Sequence, residues 1–73
     1  MSQLIMNALL KEAEAKEAKA VANLQNYMSN SAGIGEHPDV VAECAKLVED
    51  IANAREIANT VKDLVNESSD NRK

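Results

Sequence analysis

Between Val40 and Val65 the chain carries Val40, Cys44, Leu47, Ile51, Ala54, Ala58, Val61 and Val65, an apolar residue every four and three positions without a break. That alternation keeps one seam of an α-helix facing a partner helix. Ile57 and Leu64 widen the stripe on one side and Val48 on the other, and neither Gly nor Pro interrupts it. A long helix is therefore expected from about Pro38 to about Glu67, with the eight stripe residues as an oligomer interface.

The rest of the chain is organised to match. Residues from about Ser2 to Ser29 read as a first helix, with Ser2 as N-cap and an interior of Ala, Leu, Lys, Glu and Gln. Its apolar side collects Met6, Leu9, Leu10, Ala13, Ala20, Val21, Leu24, Tyr27 and Met28, interrupted by Glu17 in the middle of the face. Leu4, Ala8, Ala15, Ala18 and Ala22 form a weaker row of small residues on the other side. Between the helices lies a turn over 30–37, NSAGIGEH, which holds Gly33 and Gly35, the chain's two glycines. A Gly just past the last turn caps a helix in the left-handed conformation. Pro38 fits the first position of the next helix, where its missing N–H costs nothing, with His37 as the N-cap. Residues 68–73 read as a polar, flexible tail.

Two helices of matched length joined by a short turn predict an all-α antiparallel helical hairpin, a single domain over 1–73. At 73 residues, with Tyr27 as the one aromatic, such a core is lean. Below about 70–80 residues a core rarely supplies more than ~3–5 kcal/mol without disulfides, metal or oligomerisation. Cys44 is the single cysteine, so no intrachain disulfide forms. Self-association into a helical bundle, as a dimer or a higher oligomer, is the route left.

Charge narrows the partners. Twelve acidic residues against eight basic give a net charge of −4, which disfavours a duplex nucleic-acid binder or an anionic-membrane helix. The opening MSQLIMNALL lacks the basic start of a signal peptide, and no stretch approaches the roughly 20 apolar residues of a membrane span. An unpaired Cys44 in the stripe fits a soluble protein of the reducing cytoplasm.

Catalytic and metal chemistry find no footing. His37 and Cys44 stand seven apart, with Cys44 in the core stripe, where it behaves as a small hydrophobe. The carboxylates at Glu12, Glu14, Glu17, Glu43, Glu49 and Asp50 lack the Glu-x-x-His pairs of a di-metal bundle. No enzyme, metal or cofactor is expected. Two features point to binding instead. Glu17 in an apolar face can pair with a cation of a neighbouring chain and fix register. Arg55, Asn59 and Lys62 share one edge of the second helix, where two cations and an amide suit a phosphate or a partner's carboxylate. The glycines before the second helix resemble an anion loop only superficially, because Glu36 and Asp39 flank them.

The run LQNYMSNSAGIGEHPDVV resembles short helical-hairpin proteins of large tailed bacteriophages that carry a GIGEHPD turn. The resemblance covers Leu24 to Val41, with Tyr27, Asn30 and the turn itself as its fixed points. It implies a phage source and a host bacterial cytoplasm. Small helical oligomers of phages are virion or assembly parts, or antagonists of host machinery and immune signalling. The expected function is thus a non-enzymatic oligomeric protein-interaction or assembly module, with itself or a host protein as partner. The alternative is an anti-defence sponge sequestering an anionic cyclic nucleotide, a second messenger, between protomers at Arg55, Asn59 and Lys62.

Overall fold

A computed structural model describes residues 3–29 and 39–70 of the chain. Helix α1 spans Gln3–Ser29 and helix α2 spans Val40–Asp70, and they pack against each other as an antiparallel hairpin. At 1.5 Å per residue they are about 40 and about 46 Å long. The principal extents of 58 × 16 × 14 Å leave room for two helices side by side and no second layer.

The seam is read directly from burial. On α2 Ile51, Ala54, Ala58 and Val61 are buried, flanked by half-buried Val40, Cys44, Leu47 and Val65. On α1 Met6, Ala13 and Ala20 are buried, with Leu10, Glu17, Leu24 and Tyr27 half-buried between and beyond them. Both sets follow the alternation of three and four, so each helix keeps one line of residues toward the other. Alanines occupy four of the seven buried positions, including Ala13 and Ala54 at 3% exposure. Small side chains let the helix axes approach toward the lower end of the usual 8–10 Å range. The stabilisation is correspondingly modest, since each methyl buries little apolar area. No buried side-chain nitrogen or oxygen among the described residues lacks a hydrogen-bond partner.

The entry to α2 differs from the expected one. Asp39 caps the helix: its Oδ1 accepts the backbone N–H of Ala42 at 3.0 Å, and its carbonyl accepts that of Glu43 at 3.2 Å. An aspartate oxygen satisfies an orphan N–H of the first turn directly, worth about 0.5–2 kcal/mol relative to Ala. Helix α2 therefore begins at Val40 rather than Pro38, with Glu43 as the acidic residue of its first turn. Ser2, the turn at 30–37 with Gly33, Gly35 and the His37 cap, and Pro38 lie outside the described residues. At its other end α2 continues to Asp70, three residues past the expected stop at Glu67, because no Gly or Pro ends it.

Two apolar residues of α1 also leave the expected face. Leu9 and Met28 are exposed, because each stands one position outside the seam line that Leu10 and Tyr27 follow. Pairs along the outer surface, Lys11 with Glu14 at 3.7 Å and Lys16 with Glu12 at 4.0 Å, are exposed and contribute a few tenths of a kcal/mol at most.

Candidate functional site

The α2 residues expected at an oligomer interface, Val40, Cys44, Leu47, Ile51, Ala54, Ala58, Val61 and Val65, face α1 of the same chain. The hairpin thus uses its best apolar line internally. Apolar side chains are left open on both flanks of the seam and, at Leu4 and Ile5, near the start of α1.

The first flank is marked by an ion pair. Arg55 Nε donates to Glu17 Oε2 at 2.9 Å across the two helices. Glu17 occupies a seam position, between Ala13 and Ala20, yet its side chain is 31% exposed because the carboxylate turns outward to meet the arginine. The Arg55 side chain is 62% exposed, so the pair sits at the edge of the seam and is screened by solvent. Glu17 thereby finds its cation within its own chain. Asn59 and Lys62 stand on the same side of α2 as Arg55, both exposed. Lys62 borders a groove near the chain ends with Asn7, Leu10 and Asn66. An anion docking at Arg55, Asn59 and Lys62 has to compete with the Glu17 carboxylate for the guanidinium. Toward the turn the flank becomes apolar, with exposed Val41 and Val48 on α2 and Ala18, Val21 and Ala22 along α1.

The second flank is legible in the sequence only as a widening of the stripe. Ile57 and Leu64 project from α2 at 39% and 48% exposure, and Leu9 projects from α1 at 43%. Ile57 belongs to a groove of about 380 Å³ between the helices, lined also by Lys16, Lys19 and Asn23 of α1 and by Leu47 and Asp50 of α2. Leu64 lies one heptad from Ile57, and Leu9 one heptad from Lys16, so all of these share that side. The half nearest the chain ends is aliphatic and the half nearest the turn is charged. The signal is the seven-residue spacing of Ile57 and Leu64, which places both on one edge of a coiled-coil seam.

Among the described residues no group of three or more His, Cys, Asp or Glu side chains is placed to hold a metal ion. Cys44 is a free, half-buried thiol in the seam. No described helix is long and apolar enough to cross a membrane. No protein-family model, curated protein or solved structure matches the chain.

Proposed function

We propose that this chain is a non-enzymatic helical assembly module whose first partner is another copy of itself. The carrying observation is surface left uncovered by a hairpin with an alanine core. Aliphatic side chains lie open on both flanks of its seam, Val41 and Val48 on one and Leu9, Ile57 and Leu64 on the other. Pairing hairpins into a four-helix bundle covers that surface and supplies the core that two helices lack.

The nucleotide-sponge reading rests on Arg55, Asn59 and Lys62, and the Glu17 contact weighs against it. An anion gains Arg55 only by displacing a carboxylate already at hydrogen-bond distance. Assembly requires no such exchange. The turn on which the phage resemblance rests lies outside the described residues, so the proposal stands on the helices.

The test is sedimentation equilibrium of the intact chain from about 1 to 200 μM, a range set by affinities near −8 kcal/mol for micromolar association. A reversible dimer or higher species is expected. A well-folded monomer throughout the range overturns the proposal.

A further inference from the structure

We draw no further inference here: the strongest candidate, the open flank of the seam where Leu9, Ile57 and Leu64 continue into the groove lined by Lys16, Lys19 and Asp50, is an unpartnered face, and nothing in the structure shows what covers it.

Discussion

Replacing Glu17 by leucine is expected to stabilise the hairpin, because the ion pair it removes is weaker than the apolar packing it adds. Glu17 holds a seam position on α1, where Met6, Leu10, Ala13, Ala20, Leu24 and Tyr27 otherwise supply apolar contact. What it gives back is one ion pair with Arg55, with side chains 31% and 62% exposed. Pairs of that exposure are worth about 0–1 kcal/mol. A leucine at the same place, about two-thirds covered, gains roughly 1–2 kcal/mol of the 1.5–3 kcal/mol that full burial provides. Glu and Leu have similar helix propensities, so the backbone is indifferent to the exchange. The net expectation is about 1 kcal/mol in favour of leucine. For a domain of this size that raises Tm by about 4–8 °C.

The assay is thermal unfolding followed by circular dichroism, at one fixed chain concentration because Tm of an associating protein depends on it. Arg55→Ala added to Glu17→Leu is expected to leave Tm within a degree or two, since the partner is already gone. Sedimentation of Glu17→Leu is expected to give the same stoichiometry as the unmutated chain. A Tm lowered by several degrees refutes the argument that the pair is worth less than the packing it displaces. An altered stoichiometry would show instead that Glu17 fixes how copies combine, as a polar residue in a coiled-coil seam can.

Two further outcomes follow from the seam and its cap. Ile51→Asp sets a carboxylate at a buried mid-seam position and is expected to cost several kcal/mol, seen as loss of the helical signal at 25 °C. Asp39→Ala removes the acceptor for the Ala42 N–H and is expected to cost about 1 kcal/mol, read as a shift in denaturant midpoint without change in slope, whereas Asp39→Asn retains most of it.

Much of this fold is legible in the sequence because its period is unambiguous. The four-three alternation from Val40 to Val65 predicts α2, and the seven-residue agreement between Met6, Ala13 and Ala20 predicts the face of α1. The cap is not legible in the same way. His37, Pro38 and Asp39 each suit a helix entry, and only the position of Oδ1 relative to the first-turn N–H groups decides between them. Glu17 and Arg55 each stand out in the sequence, one as an intruder in an apolar face and the other as a cation at an edge. Their contact cannot be read from either helix alone, because interhelix register is a property of the turn that joins them. A usable signal exists nevertheless. Laying the two stripes against each other in antiparallel order sets Met6 opposite Val65, whose numbers add to 71, and both line one groove between the helices. Glu17 and Arg55 miss that sum by one, which places them at the same level on adjacent sides.

A heptad stripe states that a surface is covered; it does not state by what. The stripe from Val40 to Val65 suits another copy as well as a second helix of its own chain, and its residues face α1 of the same chain. The same alanines that allow this also limit it. Four of the seven buried positions are Ala13, Ala20, Ala54 and Ala58, whose methyl groups bury little apolar area beyond the seam line itself. Ile57, Leu64 and Leu9 lie just there: near enough to the seam to be apolar, too far from it to be covered. A thin core and an open aliphatic flank thus occur together in this hairpin, and under the self-association proposed above a second hairpin is what would cover exposed apolar surface of this kind.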